Sequence, residues 1–462
     1  MKKDCVVIGG GIAGLAALYF FQGLSPGPSL LLEARDRTGG NILTEQLDGF
    51  LVEGGPDCFL ASKHWTLALA RKLGVEALMT RPDMNRTFIL SGGRLHPIPR
   101  GLFLMVPTSF FPLLFSPLIT CRGKLRMAMD FFIPPRREKS DESLQSFVER
   151  RLGREALEKI AEPLIAGIHA SVPDRLSIKS AFPSFVEMEE KHGSLIRGAL
   201  VRKRSTILPE GLSFFMSFRE GLGELTSRLA AGFPPESVRC ATKVRSLKAG
   251  KEGGYEIATE GGEHLEARTV ILATPAYESS RLLEGLDTGL ARELSAIPYT
   301  STATVSLGYR ESDLSHRLNG YGFVIPRREE RRIMACTWTS SKFLHRTPQG
   351  HALLRVFLGG THHGEWTQMD DDEIYRMIGE ELRDIMGISA TPVLRRLYRW
   401  KDAMPQYVVG HQAAMARIDE LAVLHKGLYL AGSAYRGIGI GDCIREGEEA
   451  AGKAFHYLGQ LS

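Results

Sequence analysis

The apolar positions change period several times along the chain, and each change marks an element. Val6, Val7 and Ile8 form a short β-branched run that reads as a buried strand, and the alanine- and leucine-rich stretch after it reads as a helix. Leu30-Leu31-Leu32 is a second buried strand. Helical spacing predicts a helix over 62–73, with Ser62 as N-cap and Gly74 as stop. A second covers 141–152, with Leu144, Phe147, Val148 and Leu152 on one face and Gly153 as stop, and helical segments continue to about Val201. Strands are expected over 238–247, 255–258, 269–273 and 392–400, and strand signals dominate between 299 and 361. There Thr300, Thr302, Thr304 and Ser306 alternate with Ala303, Val305 and Leu307, the pattern of a half-exposed strand. A further helix, 372–386, ends at Gly387. From Gly101 to Thr120 there is no charge, and the length would suit a membrane-crossing helix. Pro107, Pro112 and Pro117 argue against one, since each removes a helix hydrogen bond and would bare carbonyls to lipid. Short helical pieces dipping into one leaflet, flanked by Arg100, Arg122, Lys124 and Arg126, are the expectation; a buried channel wall is the other reading.

Glycines punctuate this pattern at two ends of the chain. Gly9, Gly11 and Gly14 make G-x-G-x-x-G between the first strand and the first helix. In that setting Gly9 allows the turn, Gly11 leaves room for a pyrophosphate, and Gly14 lets helix and strand touch, with the helix N-terminus facing phosphates. Glu33 ends the second strand 19 residues after Gly14, where an acceptor for ribose hydroxyls belongs. Arg37 with Gly39-Gly40, then Gly54-Gly55-Pro56, then Ala273-Thr274-Pro275 are further places where backbone passes close to the same ligand. At the C-terminus a strand ends at Gly432, a run of alternating glycines reaches Gly441, and Asp442 is placed to N-cap a helix whose inner face carries Ile444, Ala451, Phe455 and Leu458. A nicotinamide enzyme needs one such junction. Two, at opposite ends, suit a longer cofactor, FAD, with phosphates at the first and a ring system at the second.

The composition changes the picture little. The 462 residues, 43% hydrophobic and 24% charged, are enough for two or three globular domains. A net charge of +5, without a compact basic stretch and interleaved aromatics, gives no argument for nucleic acid. Cys5, Cys58, Cys121, Cys240, Cys336 and Cys443 have no Cys-x-x-Cys spacing and read as reduced thiols, and the chain enters its first strand too early for a signal peptide. No nucleophilic triad, paired-carboxylate motif or metal signature is present; His362-His363 would point to opposite faces of a strand. The chemistry is then the flavin's, with the dipole of the C-terminal helix available to stabilise negative charge on the reduced ring.

The N-terminal fingerprint, Arg37-Thr38-Gly39-Gly40, Val52-Glu53-Gly54-Gly55-Pro56 and the C-terminal glycine run resemble the amine-oxidase-like flavoproteins. Gly167-Ile168-His169-Ala170, Phe218-Arg219-Glu220-Gly221-Leu222, Pro405-Gln406-Tyr407 with Gly410-His411, and Asp442-Cys443-Ile444 resemble one branch, the protoporphyrinogen oxidase family. The resemblance covers nearly the whole chain. It implies an oxygen-dependent, six-electron oxidation of protoporphyrinogen IX in three hydride transfers to FAD, with H2O2 as by-product. It also implies peripheral or monotopic attachment to the cytoplasmic side of a membrane through residues 86–200. A homodimer and hand-off to a ferrochelatase are further expectations. The carbonyl of Gly167 would face the macrocycle, and a base near Leu95-His96-Pro97-Ile98-Pro99 would pair with a propionate. This segment departs from many relatives: it offers Arg94, His96 and Arg100, with His96 where some carry arginine, and Arg100 is the favoured anchor. Candidate cofactor contacts are Gly9, Gly11, Ile12, Ala13, Gly14, Glu33, Ala34, Arg35, Gly39, Gly40, Gly54, Gly55, Pro56, Val244, Ala273, Thr274, Trp400, Gly432, Ile438, Gly439, Ile440 and Cys443.

The expected fold is α/β: a Rossmann-like FAD-binding domain from 1–85, 205–298 and 400–462, a helical membrane-associating region over 86–204, and a β-rich, mixed-sheet substrate domain over 299–399. Oxidation of coproporphyrinogen III by the same machinery is the near alternative. An amine oxidase and a non-catalytic flavin-binding membrane adaptor are more distant ones.

Overall fold

The computed structural model describes residues 2–138, 140–205, 212–251, 253–359 and 364–461; His362 and His363 lie outside them. Its first sheet runs in the order Val238–Arg239, Ser29–Leu32, Lys3–Ile8, His264–Leu272, Tyr255–Thr259, Val244–Ala249, with Leu428–Leu430 alongside the far half of His264–Leu272. The strands from Val238–Arg239 to His264–Leu272 and Leu428–Leu430 are parallel, and the hairpin 244–259 is antiparallel. A parallel sheet buries both faces, which explains the uninterrupted apolar runs. Val7, Leu31 and Ile271 face helices Ile12–Leu24 and Ile440–Leu461, while Val6, Ile8, Leu30 and Leu32 face helices Ala276–Leu283, Thr288–Ser295 and His411–Ala422.

The second sheet is mixed: Leu394–Pro405, Tyr299–Arg310, His351–Gly359, Ala335–Trp338, Gly322–Val324, Thr87–Ser91, Arg94–Pro97. The last two strands belong here and not with the helices that follow them in sequence. Helix Asp371–Met386, opened by a capping box between Asp370 and Glu373, covers one face. Tyr299–Arg310 is a central strand, and Thr300, Thr304 and Ser306 are buried, which corrects the half-exposed reading. Its polar face is covered by the first domain: Thr304 donates to the carbonyl of Gly54 at 2.8 Å.

A helical layer, with Leu144–Arg151, Glu162–His169, Pro183–His192 and Leu195–Ser205, closes around Phe147, Ile160 and Phe185. Within the charge-free stretch, Leu102–Phe103 and Val106–Pro107 form a small hairpin where helical pieces were expected, followed by the one-turn helix Phe110–Leu114. Part of the stretch is core, including Met105, Leu113 and Ile119, while Phe111, Leu114 and Phe115 are exposed. Among the described residues no helix is long and apolar enough to cross a membrane. Three helix starts differ from the expected ones. Lys63 precedes His64–Lys72, so Ser62 is not its cap; Ser143 caps Leu144–Arg151; and Asp442 lies inside the first turn of Ile440–Leu461. Phe455, expected on the inner face of that helix, is exposed; Gly447 and Ala454 are buried there with Ile444, Ala451 and Leu458.

Candidate active site

The first glycine turn sits at the C-terminal end of Lys3–Ile8. Gly9 has φ +109°, and a Cβ there would lie 2.6 Å from the carbonyl oxygen of Ala273; one on Gly14 would lie 1.9 Å from that of Gly9. Gly11 differs. A Cβ there would meet nothing nearer than Gly40 Cα at 4.0 Å, so space opens in front of it. Helix Ile12–Leu24 starts on Gly11 with no side-chain cap, and the N–H groups of Ile12 and Ala13 are left for whatever occupies that space. Glu33 is buried behind the turn and accepts from the N–H groups of Gly10 at 2.5 Å and Arg35 at 2.8 Å, with lone pairs to spare for hydroxyls. Ala34 and Arg35 are exposed beside it.

The later glycines lock onto this turn. Gly39 N–H donates to the carbonyl of Gly10 at 2.8 Å, and Gly39 bridges to Gly11. Arg35 and Arg37 both donate to the carbonyl of Gly40, at 3.1 and 2.9 Å, and Arg35 lies over the Trp400 ring. Trp400 in turn donates through Nε1 to the carbonyl of Gly54 at 2.8 Å, and Arg355 donates to that of Gly55, just before Pro56. Ala273 N–H joins the carbonyl of Ile8 at 2.8 Å, and Thr274 bonds Ser279. Val244 is buried two residues after Thr242, whose N–H meets the Glu33 carbonyl.

The C-terminal glycines leave the sheet at this same edge. Ala431 N–H donates to the carbonyl of Leu272 at 3.0 Å, and Gly432, with φ +132°, opens onto free space. Gly437 N–H donates to the Tyr407 hydroxyl at 2.7 Å, and Cys443 N–H to the carbonyl of Gly439, starting the helix at Ile440. That helix presses on the first one: a Cβ on Gly447 would lie 2.4 Å from the Ala13 carbonyl oxygen. Asp442 pairs with Lys63 at 2.8 Å.

Gly167 stands in the last turn of Glu162–His169, and a Cβ there would touch only Val324 Cγ1, at 3.9 Å. Val324, Ile89 and His96 form one row across three strands, so His96 faces the same side as Gly167, roughly 10 Å from Val324 at two strand spacings. Arg94 shares the face of His96 but is exposed at the hairpin end, and Arg100 is exposed beyond the strand. Gln406 and Tyr407 connect this region to the second glycine run. Gln406 Nε2 donates to the His169 carbonyl at 3.1 Å, Tyr407 donates to that of Ser433 at 2.7 Å, and Ile438 packs in the same apolar cluster as Val324 and Tyr407. Burial holds His169 down at about 4, so its ring is neutral. The sequence motif drew attention to Gln406 and Tyr407 without a role; buried Lys342, Arg346 and Arg355 had no local signal at all, and Asp57, half-buried after Pro56, was marked only by its place at the end of that turn.

A family model, flavin containing amine oxidoreductase, matches residues 12–454. The chain belongs to this family. Within it the chain is an oxidoreductase of the porphyrinogen oxidase group. It is 35% identical to the coproporphyrinogen III oxidase of Bacillus subtilis (strain 168) over 99% of both chains, and 29% identical to the chloroplastic protoporphyrinogen oxidase of Nicotiana tabacum, covering all of this chain and 87% of that one. Among solved structures, a provisionally named protoporphyrinogen oxidase from Exiguobacterium sp. 255-15 superposes with a TM-score of 0.87 at 32% identity over 99% of both chains. The cofactor of this flavoprotein is FAD, and the site fits it: an uncapped helix terminus with open space before Gly11 for phosphates, and a second open turn at Gly432 on the same sheet edge.

Proposed function

We propose that the protein oxidises coproporphyrinogen III to coproporphyrin III. The observation that carries the choice of substrate is the end-to-end match to a coproporphyrinogen III oxidase, with two further bacterial relatives of that name at 31% and 30% identity. This reverses the order expected from sequence, where protoporphyrinogen IX came first; the plant and bovine relatives of that name keep it as the second reading.

When bound, FAD accepts a hydride, two electrons and a proton, from the substrate and passes the electrons to O2; three rounds consume three O2 and release three H2O2. The chain does the rest. Ile12 and Ala13 N–H groups bind the pyrophosphate at Gly11, and Glu33 accepts from the adenosine ribose. Gly39-Gly40, Gly54-Gly55-Pro56, Ala273-Thr274 and the run Gly432–Cys443 line the remaining length of the cofactor, with Trp400 and Arg35 closing over the loop. The dipole of Ile440–Leu461 stabilises negative charge arriving at the ring. Gly167 and Val324 form the apolar wall for the macrocycle, and His96, on the same side, takes the propionate-anchoring role first expected of the exposed Arg100. Arg94 and Arg100 extend the basic rim outward. Gln406 and Tyr407 hold the His169 and Ser433 backbones in one frame, which would keep the macrocycle wall and the second glycine run in fixed register.

Phe111, Leu114 and Phe115 at i, i+3 and i+4, with Leu125, Met129 and Phe132 beside Arg122 and Lys124, are exposed and suit an anionic lipid surface, from which the substrate enters. The test of substrate is anaerobic mixing of the yellow protein with each porphyrinogen in turn. Coproporphyrinogen III should bleach the flavin at least about tenfold faster at equal, sub-saturating concentration; a preference for protoporphyrinogen IX would overturn the choice, and bleaching by neither would overturn the activity.

A further inference from the structure

Behind the Gly54–Pro56 turn lies a layer of charge that binding and orientation alone do not require. Lys342, Arg346, Arg355 and Glu53 are 7%, 1%, 2% and 2% exposed. Lys342 Nζ meets Asp57 Oδ2 at 2.9 Å and Cys58 Sγ at 3.2 Å. Arg355 donates to the Gly55 carbonyl, and its Nε is buried without a partner. Arg346 is spent on the Ser217 hydroxyl and the carbonyls of Phe218 and Arg219, while Glu53 accepts from the Thr44 hydroxyl and Leu222 N–H. Three buried cations therefore stand against the carboxylates of Glu53 and Asp57, with exposed Glu220 acting on Arg346 from outside. Burial also pushes Glu53 up to about 7, so near neutrality it carries only part of its charge, whereas Lys342 and Arg355 hold Asp57 ionised against its burial. With Glu220 set against Arg346 from the exposed side, Lys342 and Arg355 face Asp57 and a partly charged Glu53, so a net positive charge remains in a medium where charges act at long range. Arg355 holds the Gly55 carbonyl of a turn that the proposed function sets against the cofactor.

We propose that Lys342 and Arg355 are positioning residues that set the redox poise of the bound flavin, their excess positive charge favouring the reduced, anionic ring over the neutral oxidised one. The electron balance makes the sign plain: a hydride brings two electrons and one proton to a neutral ring and leaves it with one negative charge. This inference rests on the flavin reading above. It assigns to the second sheet a part in the chemistry that reaches beyond shaping the substrate site.

The experiment uses the full, FAD-loaded chain, with the two-electron potential read by equilibration against reference dyes and sulfite-adduct affinity as a second readout. Lys342→Met and Arg355→Met should each make reduction about tenfold less favourable, about 30 mV for a two-electron couple, and weaken sulfite binding in step. Asp57→Asn should shift both readouts about tenfold the opposite way, and Arg355→Lys should stay within about threefold of the parent. Structural damage would not produce shifts of opposite sign. Unchanged potentials, or Asp57→Asn moving with the cation removals, overturns the proposal. Should the methionine variants not fold, Asp57→Asn alone decides by the sign of its shift. A parent that purifies without flavin would instead bring down the function reading, a result distinct from a yellow parent with unshifted potentials.

Discussion

Gly11 and Gly14 lack side chains for different physical reasons, and substitution separates them. A Cβ on Gly14 would overlap the Gly9 carbonyl oxygen at 1.9 Å, whereas one on Gly11 would enter open space. Gly11→Val should therefore fold, losing about 1 kcal/mol as an altered N-cap, yet bind FAD at least about 100-fold more weakly. Gly14→Ala should lose stability first. Denaturation midpoints and flavin absorbance after purification report the two outcomes, and a yellow Gly11→Val would refute the phosphate role. Glu53 makes a second residue-scale case. Burial raises its carboxyl from 4.5 to about 7, so between those pH values the folded state holds a proton that the unfolded state has lost. Stability then falls as pH rises through that window, by about 3 kcal/mol once above it. Glu53→Gln, denatured at pH 5 and pH 8 with FAD saturating, should lose less stability across the interval than the parent by roughly that amount; an equal loss would show that Glu53 does not titrate there. Glu446, also raised to about 7 by burial, keeps part of the slope in the variant.

At the scale of elements, the helical layer is held by a buried ion pair as well as by its apolar core. Arg151 and Asp130 are fully buried; Arg151 Nε meets Asp130 at 2.6 Å, and its other nitrogens reach the carbonyls of Ile133 and Gly193. Asp130 also accepts from the Ser194 hydroxyl and Ile196 N–H, so one pair ties the ends of Leu144–Arg151 and Pro183–His192 to the start of Leu195–Ser205. Arg151→Met leaves that carboxylate uncompensated and should cost about 3–5 kcal/mol in urea denaturation. A loss under about 1 kcal/mol would mean that packing alone holds the layer. This pair was invisible in the sequence, where Arg151 reads as the polar back of an amphipathic helix. The helix itself was plain, because Leu144, Phe147 and Val148 repeat at helical spacing. Its start was displaced from the expected one because the cap belongs to Ser143, whose hydroxyl accepts from Ser146 N–H.

Taken whole, the molecule sets two sheets around the glycine turns and leaves an apolar shoulder outside. Phe111, Phe115 and Phe132 are 77%, 80% and 84% exposed, far more than folding requires. Changing all three to serine should leave the fold and flavin content intact but lower binding to vesicles containing anionic lipid by at least about tenfold, measured by co-sedimentation. A parent that stays in the supernatant would rule out the lipid surface. Added salt should weaken the parent's binding too, since Arg122 and Lys124 are part of the contact.

What the sequence determined by itself was local: the strand–turn–helix at Gly9–Gly14, the acid at Glu33, the second glycine run, and the apolar runs of a sheet buried on both faces. Each depends on a few consecutive residues, the turns on backbone freedom that glycine gives and the strands on unbroken apolar runs, so local pattern alone reveals it. Tertiary structure decided what depends on distant partners. It buried the polar face of Tyr299–Arg310 against Gly54, aligned His96 with Gly167 through Ile89 and Val324, and brought Lys342, Arg346 and Arg355 beside Asp57 across nearly 300 residues of chain. Burial and charge pairing are properties of the assembled volume, and no periodicity along the chain encodes them.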